Sequence, residues 1–213
     1  MLFRSEDNLV VKAWRLLNAE RGISPVSIHL HKTIPTGAGI GGGSADAAFM
    51  LVALNHHFSL GLDESQLMYL ASKLGSDCAF FVRNKPCFAT GRGEQLQAID
   101  LSLSGKHIVL VNPGLHISTR EAFGAITPGA KHESLLETIS RPITEWKDSL
   151  VNDFEKSIFP QYPAVKNIKD TMYKRGALYA SMSGSGSSVY GIFDTETDLS
   201  GDFPGMFVWK GIL

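Results

Sequence analysis

A glycine-rich segment is the part of the chain whose residue types and spacing best fit a binding function. Five glycines fall within residues 37–43, between a strand-like run and a helix-like run of small apolar residues. Glycines let successive backbone amides turn toward one point, and the unpaired amides of a helix start attract negative charge. The segment is therefore predicted to bind the phosphates of a nucleotide through Pro35, Thr36, Gly37, Ala38, Gly39, Ile40, Gly41, Gly42, Gly43, Ser44 and Ala45.

Two other kinds of phosphate-binding loop fit less well. A Walker A loop ends in Gly-Lys-Ser/Thr, whereas this segment ends in Gly-Ser-Ala and has no lysine. Gly37, Gly39 and Gly42 match the letters of a dinucleotide fingerprint, but Asp63, at the distance of its acidic residue, is predicted to cap a helix rather than to end a strand. A dinucleotide oxidoreductase and a flexible turn without function remain alternatives.

Two further features could carry chemistry. Asp77 stands between a helix-like run ending at Gly75 and the apolar run 79–82, where an aspartate either forms a turn or offers a carboxylate as a base. The Gly/Ser-rich stretch 183–188 has strand-like runs on both sides. It is therefore predicted to be a loop within a folded unit rather than a linker between domains.

Several motifs, taken in their order along the chain, resemble those of the GHMP kinases. They are DNLV at 7–10, PTGAGIGGGSADAA at 35–48, GSDCAFF at 75–81, GRGE at 91–94, NDFE at 152–155 and SGSGSS at 183–188. One departure is Ala45-Asp46, where the family commonly has Ser-Asn. It leaves Ser44 as the nearby hydroxyl for phosphate or Mg²⁺.

The resemblance implies ATP-dependent phosphorylation of a small-molecule alcohol, with Mg²⁺ bound through the nucleotide phosphates. Within the family, the likeness is strongest to the kinase that acts on a cytidine diphosphate-linked alcohol in the non-mevalonate pathway to isoprenoids. It implies that Asp77 is the catalytic base and that Asn8 and Lys32 contact the nucleotide. A helix cap and a solvated lysine explain Asn8 and Lys32 equally well.

The resemblance also implies a set of substrate contacts. An aromatic ring of the family stacks on the cytosine, and Phe123 occupies that position, although an ordinary core residue of a helix is an equally good interpretation. The implied substrate-binding residues are Asp77, Thr119, Phe123, Gly184, Ser185 and Gly186.

The fold implied by the resemblance is α+β, with the two-domain GHMP kinase architecture. Residues 1–105 would form the rest of an amino-terminal ATP-binding domain, which is ribosomal protein S5 domain 2-like, and residues 106–213 a ferredoxin-like carboxy-terminal domain. The family has further strands, a catalytic lysine and an aromatic-His pair before the position of Met1. We therefore expect a truncated, weakly active or inactive chain whose exposed sheet edge favours self-association. Another GHMP kinase and a non-catalytic nucleotide-binding fragment remain alternatives.

Periodicity predicts the elements that position these residues. Helices are expected from the Asp7-Asn8 cap to Gly22, after a Ser44 cap, after an Asp63 cap, and at 119–123, 131–138, 151–158 and 165–173. Strands are expected at 26–32, 79–82, 87–89, 96–99, 108–111, 177–181, 188–193 and 207–209.

Composition excludes several classes of function. The 213 residues include 20 basic and 21 acidic side chains, a net charge of -1 that indicates no nucleic-acid partner. Cys78 and Cys87 lack the spacing of metal ligands, as do His56 and His57, so no metal site is expected and the thiols fit a cytoplasmic location. The longest apolar run, 47–54, is far shorter than the roughly 18 residues that a membrane span needs.

Overall fold

The computed structural model describes residues 5–124 and 134–213, which combine helices with antiparallel sheets. These residues divide into two compact units. The first unit contains the described residues up to Thr36 together with Gly41–Asp100. The second contains Gly37–Ile40 and the described residues from Leu101 onward. The predicted α+β class is confirmed.

The first unit is mainly helical. Its elements are α1 (Leu9–Arg21), α2 (Gly42–His57), α3 (Glu64–Ser72), α4 (Cys78–Arg83) and the antiparallel hairpin of β1 (Cys87–Thr90) and β2 (Gln95–Ala98). The apolar faces of α1 and α2 share one core, in which Ala13, Leu17 and Leu51 are completely buried.

The predicted caps of α1 and α3 are confirmed. The Asn8 side chain accepts a hydrogen bond of 2.9 Å from the Val10 amide, and α1 ends at Gly22, whose φ of 63° suits glycine. Asp63 and Gln66 form a reciprocal capping box at the start of α3. Hydrogen bonds from the Ser65 hydroxyl and the Gln66 amide lower the pKa of the Asp63 carboxyl. This cap therefore stabilises the fold above the unfolded pKa and is lost as pH falls through the folded pKa.

The predicted strand at 26–32 is wrong. The segment is extended, but among the described residues no neighbouring strand pairs with it. Ile28 and Leu30, the alternating apolar residues, are each 39% exposed. Alternation shows which side of an extended segment is apolar, but only a hydrogen-bonded partner makes the segment a strand.

The predicted strand at 79–82 is also wrong, because these residues lie within helix α4. A short apolar run carries no period that separates a strand from a buried helical turn. The helix ends at Asn84, which adopts the left-handed conformation with φ of 49°.

The predicted Ser44 cap is a third error. Helix α2 begins earlier, at Gly42, after Gly41 in the left-handed conformation, so Ser44 lies inside the first turn. The run of glycines reaches the helical conformation before the first residue that could cap it with a side chain.

The second unit contains a four-stranded antiparallel sheet in the order β4-β5-β3-β6. Its elements are β3 (His107–Asn112), α5 (Thr119–Gly124), α6 (Leu135–Ile139), a 3₁₀ helix (Ile143–Asp148), α7 (Glu155–Gln161), α8 (Pro163–Lys174), β4 (Tyr179–Met182), β5 (Val189–Phe193) and β6 (Phe207–Ile212). Part of the predicted helix 131–138 lies outside the described residues. The helix predicted at 151–158 begins only at Glu155.

Both faces of this sheet are covered. Side chains of one face, including Val109, Val189 and Phe193, pack with Ile168 and Met172 of α8. The opposite face contributes Tyr179, Ile192 and Tyr190 to a smaller cluster around Trp146. Two apolar sets on alternate residues are typical of a sheet with cover on both sides. No helix within the described ranges is long and apolar enough to cross a membrane.

Replacement of Leu51 tests the core of the first unit. Leu51 is 0% exposed, so Leu51→Ala should lower the free energy of unfolding by about 2–5 kcal/mol through lost apolar contact and a cavity. Val52, the next residue of α2, is 38% exposed, and Val52→Ala should change it by less than about 1 kcal/mol. Urea unfolding followed by circular dichroism measures both values, and equal losses would contradict this description of the core.

Candidate functional site

The glycine-rich segment has a backbone conformation that residues with a Cβ atom rarely adopt. Gly37, Gly39 and Gly41 have φ values of 74°, 78° and 68°, in the left-handed region that favours glycine. Gly41 directly precedes α2, and no described side chain caps the start of that helix. The amides of the first turn have no acceptors within a helix, so the start of α2 is available to an anion.

The start of α2 packs closely on α4. A Cβ atom at Gly41 would lie 2.8 Å from the ring of Phe81. The Ser44 hydroxyl lies against the thiol of Cys78, whose pKa is raised mainly by burial. Cys78 is the first residue of α4, so Asp77 directly precedes a residue that contacts the first turn of α2.

Asp77 is placed as a free carboxylate rather than as a cap. It is the N-cap residue of α4, yet its side chain makes no capping hydrogen bond and is exposed. The turn between β1 and β2 also lies nearby, since a Cβ atom at Gly93 would be 3.6 Å from Asp77 Oδ1. An exposed carboxylate without a capping hydrogen bond can accept a proton.

The Gly91–Gly93 turn is part of this region, although we did not predict it as a site from the sequence. The Glu94 carboxylate folds back to accept a hydrogen bond of 2.7 Å from the Arg92 amide. Hydrogen bonds from the backbone amides of Glu94 and Arg92 lower the pKa of the Glu94 carboxyl. The two glycines around Arg92 were the available signal, but nothing in the sequence indicated that the turn would face Asp77.

A cavity of about 610 Å³ lies within the first unit. Its volume falls in the range of small-molecule sites. The wall is mostly apolar and includes Ile28, Leu30 and Ile34. It also includes four of the predicted nucleotide contacts, which are Asn8, Lys32, Pro35 and Thr36.

The ammonium group of Lys32 forms an ion pair with the carboxylate of Asp46 in α2. Both side chains are about one quarter exposed, with values of 27% and 28%. We did not predict this pair from the sequence, because the 14 positions that separate its members follow no local spacing rule. The pair keeps the Lys32 ammonium group close to the first turns of α2.

In the second unit, the loop 183–188 contacts the first half of the glycine-rich segment. The Ser183 hydroxyl donates a hydrogen bond of 2.9 Å to the Gly39 carbonyl, and the Ser188 amide donates one of 3.1 Å to the Ala38 carbonyl. A Cβ atom at Gly39 would lie 2.8 Å from the Ser183 carbonyl oxygen and still closer to that of Gly186. The loop is therefore part of a folded unit, between β4 and β5.

Thr119 and Phe123 lie on α5, also in the second unit. Phe123 is 63% exposed, so the interpretation of Phe123 as an ordinary core residue is wrong. The Phe123 ring contacts the ring of Phe154 in a T-shaped arrangement, with the ring centroids 4.9 Å apart. The ring is thus supported on one side and leaves surface available to a ligand.

Within the described part of the chain, no group of three or more His, Cys, Asp or Glu side chains could hold a metal ion. His56 and His57 occupy the last turn of α2.

Comparison with known proteins gives consistent matches. Residues 8–85 match the family described as GHMP kinases N terminal domain, and residues 132–201 match GHMP kinases C terminal. A curated relative from Bacteroides thetaiotaomicron is 56% identical over 91% of this chain and 71% of its own length. One from Parabacteroides distasonis is 50% identical over 98% of this chain and 78% of its own length. Both are named 4-diphosphocytidyl-2-C-methyl-D-erythritol kinase.

Solved structures agree with these matches. A crystal structure of 4-(cytidine 5'-diphospho)-2C-methyl-D-erythritol kinase superposes with a TM-score of 0.74 at 32% identity, over 90% of this chain and 71% of that one. A homoserine kinase from Cytophaga hutchinsonii superposes with a TM-score of 0.69 at 16% identity, over 98% of this chain and 76% of that one. The second match bears on the fold alone.

Replacement of Gly39 tests the packing of the glycine-rich segment. Gly39→Ala places a methyl group against backbone atoms at a φ of 78°, so it should lower the free energy of unfolding by at least about 1–3 kcal/mol. Gly201 has open space around its Cβ position, and Gly201→Ala is the matched control with little expected change. Thermal unfolding of both variants measures the difference. An unchanged stability of Gly39→Ala would show that the contact with the loop 183–188 is not formed.

Proposed function

The chain belongs to the GHMP kinase family, and on that basis we propose that it transfers the γ-phosphoryl group of ATP to the 2-hydroxyl of 4-diphosphocytidyl-2-C-methyl-D-erythritol in isoprenoid biosynthesis. The observation that carries the proposal is the start of α2, uncapped by any described side chain, with Asp77 directly before Cys78, whose thiol lies against Ser44 of α2. Relatives at 50–56% identity support the choice of substrate.

The phosphates of ATP would bind at the glycine-rich segment. One favourable charge at a helix start contributes only about 0.3–1 kcal/mol when exposed, so a triphosphate needs several amides at once. Several amides are available at the start of α2, because Gly41 leads into the helix without a side chain that would cover its first turn. The Lys32 ammonium group is paired with the Asp46 carboxylate. When ATP binds, it can pair with a phosphate oxygen instead.

The nucleoside would occupy the cavity in the first unit. Its mostly apolar wall suits the faces of a purine, and Asn8 offers an amide for a polar edge. The Asn8 oxygen already accepts from the Val10 amide, so its nitrogen is the group left for a ligand. Pro35 and Thr36 line the same cavity and lead directly into the phosphate-binding glycines.

Asp77 would act as the general base. Its carboxylate accepts the proton of the attacking hydroxyl, the hydroxyl oxygen forms the new bond to the γ-phosphorus, and ADP leaves with the electrons of the broken bond. Base catalysis contributes roughly 10²- to 10⁴-fold, whereas positioning and charge neutralisation lower most of the barrier to phosphoryl transfer.

Mg²⁺ would be carried by the phosphates of ATP. The described residues offer no cluster of three metal-binding side chains, and Mg²⁺ in kinases commonly keeps few protein ligands. When bound, the ion neutralises phosphate charge. The hydroxyl of Ser44, in the first turn of α2, could contribute to the surroundings of the ion.

The cytidine end of the substrate would meet the second unit. The exposed ring of Phe123 offers a stacking face, and Thr119 lies one turn earlier on the same helix. Gly184, Ser185 and Gly186 would contribute small groups beside Gly39 of the glycine-rich segment, within the same unit. The free thiols of Cys78 and Cys87 support a cytoplasmic location for the reaction.

Replacement of Asp77 tests the catalytic assignment. Asp77→Asn keeps the size of the side chain but removes the base, so turnover should fall by roughly 10²- to 10⁴-fold while affinity for ATP stays the same. Asp100→Asn, at another exposed carboxylate of the same unit, is the control and should keep its turnover. A coupled assay of ADP formation gives turnover, and isothermal titration gives affinity.

Full turnover in Asp77→Asn would rule out Asp77 as the base. ATP binding without turnover in the unmodified chain would instead favour the non-catalytic nucleotide-binding alternative. No binding of ATP at all would contradict the proposed function.

Replacement of Phe123 tests the substrate side. Stacking of a base on an aromatic ring is worth about 1–3 kcal/mol, so Phe123→Ala should raise the KM for the cytidine substrate roughly 5- to 150-fold without changing the KM for ATP. Tyr69, 64% exposed on α3, is a matched aromatic control. A change confined to the KM for ATP, or an equal effect of Tyr69→Ala, would contradict the assignment.

A further inference from the structure

The motif Asn152-Asp153-Phe154-Glu155 has no role in the function described so far. Asn152 precedes α7, and its side-chain nitrogen donates hydrogen bonds of 2.8 Å to the Met182 carbonyl and 2.7 Å to the Gly184 carbonyl. Its oxygen accepts from the Phe154 amide at 3.0 Å, which fixes the orientation of the side-chain amide. One asparagine thus binds the chain on both sides of Ser183.

Glu155 contacts the same place from the buried side. One carboxylate oxygen accepts hydrogen bonds of 2.8 Å from the Met182 amide and 3.3 Å from the Ser181 hydroxyl. The other oxygen forms an ion pair of 2.5 Å with Lys169, and the two side chains are only 10% and 13% exposed. A buried carboxylate is tolerated where a cation and hydrogen-bond donors surround it in this way.

The two residues therefore hold Met182 from both ends of its backbone. Glu155 accepts from its amide, and Asn152 donates to its carbonyl. Met182 is the last residue of β4, so these bonds fix the direction in which the loop 183–188 leaves the sheet. The next residue, Ser183, donates its hydroxyl to the Gly39 carbonyl of the glycine-rich segment.

The bonds of the motif reach the loop as well as the core. Glu155 and one bond of Asn152 hold the buried Met182, and the second bond of Asn152 reaches the backbone of Gly184, inside the loop 183–188. Backbone contacts set the position of a loop whatever its side chains are. In this unit, the loop in question contacts Ala38 and Gly39.

We propose that Asn152 and Glu155 are positioning residues that, through Met182 and Ser183, hold the backbone of Ala38 and Gly39 in the form that binds the polyphosphate of ATP. The inference rests on the proposed function, because it assumes that the glycine-rich segment binds phosphate. It assigns the motif an effect on nucleotide affinity and not only on stability.

Asn152→Asp is the sharpest test. The substitution keeps the shape of the side chain but removes both donated hydrogen bonds and turns a carboxylate oxygen toward two carbonyl oxygens. Asn55→Asp is the matched control, because the Asn55 nitrogen also donates to a backbone carbonyl, that of Leu62, but in the first unit and away from this loop. Affinity for the ATP analogue with a β,γ-imido bridge, with Mg²⁺, is measured by isothermal titration at a temperature where circular dichroism shows each variant folded.

We expect Asn152→Asp to weaken binding of the analogue about tenfold or more, and Asn55→Asp to change it less than about twofold. Ser183→Ala keeps the test decisive if Asn152→Asp does not fold, because it removes only the side-chain hydrogen bond to the Gly39 carbonyl. It should weaken binding a few-fold, in the same direction.

Three results would overturn the inference. If the unmodified chain binds the analogue and both Asn152→Asp and Ser183→Ala bind it equally well, the motif does not position the phosphate site. If Asn55→Asp weakens binding as much as Asn152→Asp, the effect is one of general stability. If the unmodified chain does not bind the analogue, the proposed function fails, and the inference fails with it.

Discussion

Phosphate binding at the proposed site depends on helix α2, which begins from a left-handed glycine without a side-chain cap. Helices α1 and α3 satisfy an amide of their first turn with a side chain, whereas α4, α6, α7 and α8, like α2, make no such hydrogen bond. What α2 adds is the glycine conformation directly before it, which leaves no side chain over the first turn. The proposed anion site requires this arrangement, and the neighbouring contacts hold the segment in it.

The residues that pack against Gly39 and Gly41 contact either the glycine backbone or the space that a Cβ atom would fill. Phe81 lies where a side chain on Gly41 would be, and the Ser183 and Gly186 carbonyls lie where one on Gly39 would be. The glycines are thus required both for their backbone conformation and for close packing. Binding through amides recognises phosphate but not the rest of a molecule. In the proposed function, selection of the nucleoside and of the alcohol would come from side chains elsewhere, such as those of the cavity wall and the exposed ring of Phe123.

The sequence was informative wherever a residue type has one dominant local effect. The Asn8 and Asp63 caps, the end of α1 at Gly22 and the loop 183–188 follow from such local rules. The errors arose where the outcome depends on distant atoms. Residues 26–32 have the alternation of a strand but no described partner, and the run 79–82 is too short to show the helical period that it adopts in α4. The Lys32–Asp46 pair and the closeness of Gly93 to Asp77 join residues at least 14 positions apart, a separation at which no spacing rule applies.

A crystal structure of the chain with a non-hydrolysable ATP analogue would decide where the nucleotide binds. Phosphate oxygens should lie within hydrogen-bond distance of the backbone amides at the start of α2, from Gly41 to Ser44. Phosphates bound elsewhere on the chain, with those amides facing solvent or hydrogen-bonded to other protein atoms, would rule out the proposed phosphate site.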